Sequence, residues 1–252
     1  MNNGWKLAAL GALGGAALAV VIVFGMAAGG LLPAPNNDAA FHAYLMSHPT
    51  VLVDMTNKMQ AEQDANEESA RQTAVDKLGL KTFFDPRVAF ITGPANARTT
   101  LVEFYDYDCP YCRASLPAMK KFYDAHKSTT RFAFIEFPIP SLHGPGAVLA
   151  SRASLAARHQ PDKFVDFYFA LMSEDGALND TLIYADAAKV GLNVDKLKKD
   201  MNDSSVSVAL NAAHDLAQAA KIDGTPAFII NGRMHEGAVD ETSLNQLVKQ
   251  HA

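Results

Sequence analysis

Apolar positions along the 252-residue chain change their spacing several times, and each change marks an element. From Leu7 to Leu32 run 26 residues without a charged side chain, more than the ~20 a bilayer span requires. The most apolar part, Leu18 to Phe24, is followed by small residues at Ala27 and Ala28, a pattern that also suits a cleavable signal peptide. The length of the run favours an uncleaved anchor, with Lys6 inside and the bulk of the chain outside. Either device exports the remainder of the chain, so residues 1–35 are set apart as signal-anchor or signal peptide.

Residues 36–85 read as a helical arm. Asp38 is a candidate N-cap for a first helix carrying Phe41, Tyr44 and Leu45. A second is predicted from Thr50 to Leu78, about 43 Å at 1.5 Å per residue, with Gly79 as its stop. Val51, Leu52, Met55 and Met59 form an apolar stripe, whereas Gln60 to Arg71 is almost wholly polar. Such a helix cannot bury itself alone. It either lies solvated across the following domain or associates with other copies of the chain through residues 38–78.

Beyond residue 85 the period shortens to that of strands. Arg87–Thr92 is predicted as an edge strand. Thr99–Asp106, β-branched, aromatic and nearly continuously apolar, reads as a central strand covered on both faces, and Arg131–Phe137 as its neighbour. Between them lies an amphipathic helix with Leu116, Met119, Phe122 and Tyr123 inward. Helical patterns cover Pro145–His159, Asp162–Met172, Asp180–Val190, Val194–Met201 and Ser205–Lys221. Then come a strand Ala227–Ile230, the turn Asn231-Gly232, a returning strand Arg233–His235, and a last helix capped by Asp240.

Composition narrows the function. With 22 Lys and Arg against 27 Asp and Glu there is no basic footprint for nucleic acid. The only two cysteines, Cys109 and Cys112, stand three positions apart where a buried strand hands over to a helix. A helix N-terminus offers free N–H groups and a positive dipole end, which stabilise a thiolate and lower a cysteine pKa from ~8.5 into the ~3.5–7.5 range. Cys109 is thus the expected attacking thiolate and Cys112 the resolving thiol, their disulfide being the sole redox group. A closed zinc site takes four ligands and the chain has no second such pair, so no metal is assigned. A structural bridge closing so small a loop removes little unfolded-state entropy. Cu(I) binding by the same soft sulphurs is the principal non-enzymatic alternative.

The order of strand, Cys109-Pro110-Tyr111-Cys112 at a helix start, strand, helical insertion over about 143–222, Gly224-Thr225-Pro226 before a hairpin, and a final helix resembles the α/β thioredoxin fold in its DsbA-like form, over residues 86–252. The helical arm with Phe84-Asp85-Pro86, and the block Val102 to Cys112, is closer still to the ScsC-like branch, where such an arm is associated with oligomerisation. The resemblance implies thiol-disulfide exchange on cysteine-bearing protein substrates, as isomerase or oxidase, in the bacterial periplasm beside a membrane redox partner. Within it Cys109 matches an exposed nucleophile and Cys112 a buried partner. Pro226 matches a cis-proline next to which the Thr225 backbone pairs with substrate, and Glu103 a buried proton-transfer acid. Tyr111 stands where the family's prototype oxidase has histidine. Glu136 and His143, nearby in sequence, read as solvated loop-end groups.

Overall fold

The computed structural model describes residues 38–251. The expected anchor or signal segment lies outside the described residues, and among those described no helix is long and apolar enough to cross a membrane. The chain divides into two compact units, one ending at Gln63 and one beginning at Asp64.

In the first unit, α1 (Asp38–Ser47) buries no residue. Phe41, Tyr44, Met46, Leu52, Val53, Met55 and Met59 are all exposed. Helix α2 spans Thr50–Leu78, the predicted range. It stops at Gly79, which takes φ +75° and returns its N–H to the Val75 carbonyl at 2.9 Å. Only glycine enters that conformation without a Cβ penalty.

The second unit begins some twenty residues before the expected boundary at residues 85–86. Its core reaches back to Val75 on α2 and to Phe83 on a short 3-10 turn over Leu80–Phe84, both buried. Apolar burial, which the polar composition of α2 conceals, decides where this unit starts.

Five strands form the sheet: β1 (Phe90–Thr92), β2 (Thr99–Tyr105), β3 (Thr130–Glu136), β4 (Ala227–Ile230) and β5 (Arg233–Glu236), in the order β1-β3-β2-β4-β5. Only β2 and β3 pair in parallel, with Leu101 opposite Phe132, Glu103 opposite Phe134 and Tyr105 opposite Glu136. The crossover between them is α3 (Pro110–His126), the long connection a parallel pair requires. β4 returns antiparallel to β2, setting Phe228 opposite Glu103. Strand alternation sends Leu101, Glu103, Tyr105, Phe132, Phe134 and Phe228 to one face, and Val102, Phe104, Ala133, Ile135, Ala227 and Ile229 to the other.

Helices cover both faces. Between β3 and β4 stand α4 (Pro140–His143), α5 (Pro145–Ala157), α6 (Phe164–Met172), α7 (Asp180–Lys189), α8 (Val194–Asp200) and α9 (Ser204–Ala219). Asn179, Asn193 and Asp203 cap α7, α8 and α9 with side-chain oxygens that accept backbone N–H groups. The last helix, α10 (Glu241–Gln250), opens on a reciprocal capping box between Asp240 and Ser243 and buries Leu244.

Candidate active site

The site forms where β2 ends. After Tyr105 the chain makes an Asx turn: Asp106 Oδ1 accepts the Asp108 N–H at 2.9 Å, and the Asp106 carbonyl accepts the Cys109 N–H at 3.2 Å. Cys109 is the N-cap of α3 in extended backbone, with Pro110 as the first helical residue. Proline suits that position because its missing N–H would have no helical partner. Cys112 comes within the first turn, both thiols free.

Cys109 departs from the expected exposure: it is only 1% exposed, while Tyr111 beside it is 64% exposed. The reason is the loop from β4, which the sequence places 116 residues away. The Cys109 sulphur lies 3.2 Å from the Thr225 carbonyl oxygen, to which it donates when protonated, and the peptide between Thr225 and Pro226 is cis. Cys109, Pro226 and Thr225 thus meet at one point, with Pro110 and Tyr111 facing outward.

The two sulphurs are electrostatically unlike. The Cys112 thiol, as hydrogen-bond donor, is the largest influence holding the Cys109 pKa down at about 5; burial opposes it. Thr225 and the N–H groups of Cys112 and Tyr111 add to the lowering. The value falls in the range expected of a helix start, but its main source is the neighbouring thiol. Cys112 is driven well above the ordinary thiol value, first by burial and then by Cys109 itself. A thiolate at Cys109 and a thiol at Cys112 therefore coexist at neutral pH.

Beneath them lies Glu103, 1% exposed in mid-strand and so away from the sheet rim. Its Oε2 accepts the Tyr168 hydroxyl at 2.8 Å, and its Oε1 is buried without a partner. Burial raises its pKa to about 8, so it is largely protonated at neutral pH. When ionised, it adds to the influences that raise the Cys112 pKa.

Glu136 and His143 are not the solvated groups the sequence suggested. Glu136 is fully buried at the end of β3, accepting a short hydrogen bond from the Tyr105 hydroxyl, and burial raises its pKa to about 7. His143 Nδ1 lies 2.7 Å from Asp106 Oδ2, which also accepts the Ile139 N–H at 2.7 Å. The parallel β2–β3 register carries Glu136 inward beside Tyr105, a placement no local pattern reveals.

Several residues of the site escaped sequence reasoning. Asp108 pairs with Arg113 at 2.8 Å and accepts the Leu178 N–H at 3.2 Å. Arg113 in turn donates to the carbonyls of Tyr107 and Gly176. These bonds fasten the cysteine turn to the helical insertion. Gly146 makes the approach possible, since a Cβ there would lie 2.5 Å from the Leu178 carbonyl oxygen and 2.6 Å from Asp108 Oδ2. The acid at the third position before Cys109, an Asx-turn signal, was the one legible hint. Among the described residues no group of three or more His, Cys, Asp or Glu side chains could hold a metal ion.

Known proteins resemble this chain in sequence and fold. A family model described as a DSBA-like thioredoxin domain matches residues 100–249. Among solved structures, a thioredoxin-like oxidoreductase from Silicibacter pomeroyi is 35% identical with a TM-score of 0.59, over 67% of this chain and 94% of that one. ScsC from Proteus mirabilis in a transitional conformation is 26% identical with a TM-score of 0.61, over 85% of this chain and 94% of its own. A curated relative, Na(+)/H(+) antiporter NhaA 1 of Salinispora arenicola, is 29% identical over 171 residues. That match takes in 68% of this chain but 26% of the antiporter, so the chain spans about a quarter of that relative's length.

Proposed function

The chain belongs to the DSBA-like thioredoxin domain family, and from that premise we propose that it is an exported protein thiol-disulfide oxidoreductase, an isomerase or oxidase working through Cys109-Pro110-Tyr111-Cys112. The observation that carries this reading is the unlike pair: Cys109 held down at about 5 and Cys112 driven up, with the Thr225 carbonyl 3.2 Å from the first sulphur.

In the oxidising direction a client thiolate attacks Cys109 of the Cys109–Cys112 disulfide. The new bond joins client sulphur to Cys109; the bond that breaks releases Cys112 as a thiolate, which takes a proton. Glu103, protonated at neutral pH, is the nearby group suited to exchange that proton. A second client thiolate then attacks the client sulphur of the mixed disulfide and displaces Cys109, the better leaving group because its thiolate is the stabilised one. The client has lost two electrons and two protons, and the cysteine pair has gained the electrons. Isomerisation begins instead from reduced Cys109 attacking a wrong client disulfide. No cofactor beyond the cysteine pair is required. The main chain at Thr225, beside Pro226, is where an extended client segment would pair.

The clients are cysteine-bearing proteins in the bacterial periplasm, an oxidising compartment in which such exchange is useful. A membrane redox partner resets the cysteine pair, and the segment over residues 7–32 tethers the chain to the inner membrane. Exposed apolar residues on the arm, Phe41 at 63% among them, support association of copies through residues 38–78, which would set several active sites around one client.

Redox titration of the cysteine pair, with refolding of scrambled and of reduced model substrates, tests the reading and fixes the direction of electron flow. Cys109→Ser should abolish exchange, and Cys112→Ser should accumulate mixed disulfides visible by mass spectrometry. Normal exchange by Cys109→Ser would refute the proposal. Tight Cu(I) binding with no exchange on either substrate would favour the copper-binding alternative.

A further inference from the structure

Arg71 on α2 and the loop ahead of Pro226 are about 150 positions apart in sequence, and the structure joins them. After α9 ends, the chain turns through Lys221, a non-glycine residue at φ +59°. A helix end leaves carbonyls without intrahelical donors. Arg71 Nε donates to the Lys221 carbonyl at 3.3 Å and lies 2.9 Å from Glu236 Oε1, while Nη2 stands 3.5 Å from Asp223 Oδ2 and 3.3 Å from Glu67 Oε2. One arginine side chain, 15% exposed, therefore grips both sides of Gly224-Thr225-Pro226. Lys221 and Asp223 precede that tripeptide, and Glu236 comes after it on β5, next to Gly237, whose N–H donates to the Pro226 carbonyl at 2.9 Å. The next residue, Gln72, docks on the edge of β5, donating to the Gly232 carbonyl at 2.9 Å and accepting the Met234 N–H at 3.0 Å.

We infer that Arg71 is a positioning residue for the reaction: from α2 it braces the loop and hairpin that hold the Thr225 carbonyl against Cys109. The inference rests on the thiol-exchange reading of Cys109. Its physical basis is charge as well as geometry. Glu67, Asp223 and Glu236 converge on one cation, three carboxylates to a single guanidinium. Without Arg71 the carboxylates on either side of the Thr225 loop face each other uncompensated, and the Lys221 carbonyl loses its donor. The loop is then free to move relative to Cys109. Lysine can restore the charge but not the planar fork that reaches the carbonyl and the carboxylates together.

The test uses the full chain and two readouts that a purely stabilising contact would leave alone: the pH titration of Cys109 thiolate absorbance, and kcat and KM for reduction of a disulfide-bonded peptide. Misplacing a reacting group by 1 Å costs up to ~100-fold. Arg71→Ala should lower kcat/KM about tenfold and move the Cys109 titration from its wild-type midpoint. Arg71→Lys should recover part of the loss, and Arg71→Met combined with Glu236→Gln, which removes both charges, should recover part of it by relieving repulsion. Arg87→Ala, which breaks an exposed pair with Asp85 elsewhere, should leave both readouts unchanged. The inference is overturned if Arg71→Ala lowers only the unfolding midpoint while the titration, kcat and KM stay at wild-type values. Should Arg71→Ala fail to fold, the Lys and double variants decide on the same readouts. Failure of the exchange reading is distinguishable, because wild type would then reduce the peptide no faster than Cys109→Ser, while the thiolate titration would still report whether Arg71 governs the Cys109 environment.

Discussion

The two faces of the sheet are made by alternate residues of the same strands, yet they are different materials. One face presents Val102, Phe104, Ala133, Ile135, Ala227 and Ile229, every one buried, to Phe83, Ala213, Ala217 and Ile222. The other presents Leu101, Phe132, Phe134 and Phe228 together with Glu103, Tyr105 and Glu136, and meets Tyr107, Tyr168 and both cysteines. The apolar face only packs. The polar face keeps two carboxylates out of water, each of which would cost several kcal/mol if charged and unpaired, and relieves the cost by raising their pKa values to about 8 and about 7. A protein that needed stability alone would have built both faces like the first. The second is where the proposed proton exchange with Cys112 would take place.

Three kinds of measurement put that contrast at risk. The largest effect is expected on the apolar face. Phe104 packs edge-on against Phe83 and Phe137, and Phe104→Ala should destabilise by about 3–5 kcal/mol in denaturant unfolding, with the Cys109 titration unmoved. A shifted titration would mean the faces are not independent.

The next concerns pH. A carboxyl whose folded pKa lies above its ordinary value of 4.5 binds more protons folded than unfolded across the interval, so its stabilising contribution is complete below 4.5 and is lost as pH rises toward the folded value. In the oxidised protein, where Cys109 does not titrate, unfolding free energy should fall by on the order of a few kcal/mol between pH 4.5 and 8. Glu103→Gln and Glu136→Gln should each flatten that slope. A rise in stability over the interval, or a slope unchanged from wild type in both variants, would contradict the burial argument. In the reduced protein Cys109, lowered from 9.0 to about 5, contributes with the opposite sign, adding stability as pH rises above 5. The smallest effect is Ile135→Val on the apolar face, about 0.5–1.5 kcal/mol and independent of pH. A pH-dependent loss there would again couple the faces.

Much of this architecture could be read from the chain because the signals were local. The bounds of α2 and the strand Ala227–Ile230 are those predicted, since a Gly stop and β-branched or aromatic runs act over a few residues. The ends of the helices predicted in the insertion shifted by one or two residues, as caps rather than apolar period set them. The site was less legible. Cys109 at a helix start was visible in the sequence, but its covering by Thr225 was not, because β4 reaches the middle of the sheet only through antiparallel pairing with β2. Glu136 ends an apolar strand before two prolines and so looks like a loop residue; only the register with Tyr105 shows it buried. Tyr168 is 65 residues from the carboxylate it serves, beyond any pattern that period or spacing can carry.

Read alone, the chain specified its elements, their order and the one place where two thiols meet a helix start, because hydrophobic period, caps and turns act between near neighbours. Tertiary packing decided how deeply the two sulphurs are buried, which carboxylates are dry and which arginine on the arm grips the loop over Cys109. Desolvation and hydrogen bonding depend on what lies within a few ångströms, and in this fold those neighbours come from strands and helices up to about 160 residues away.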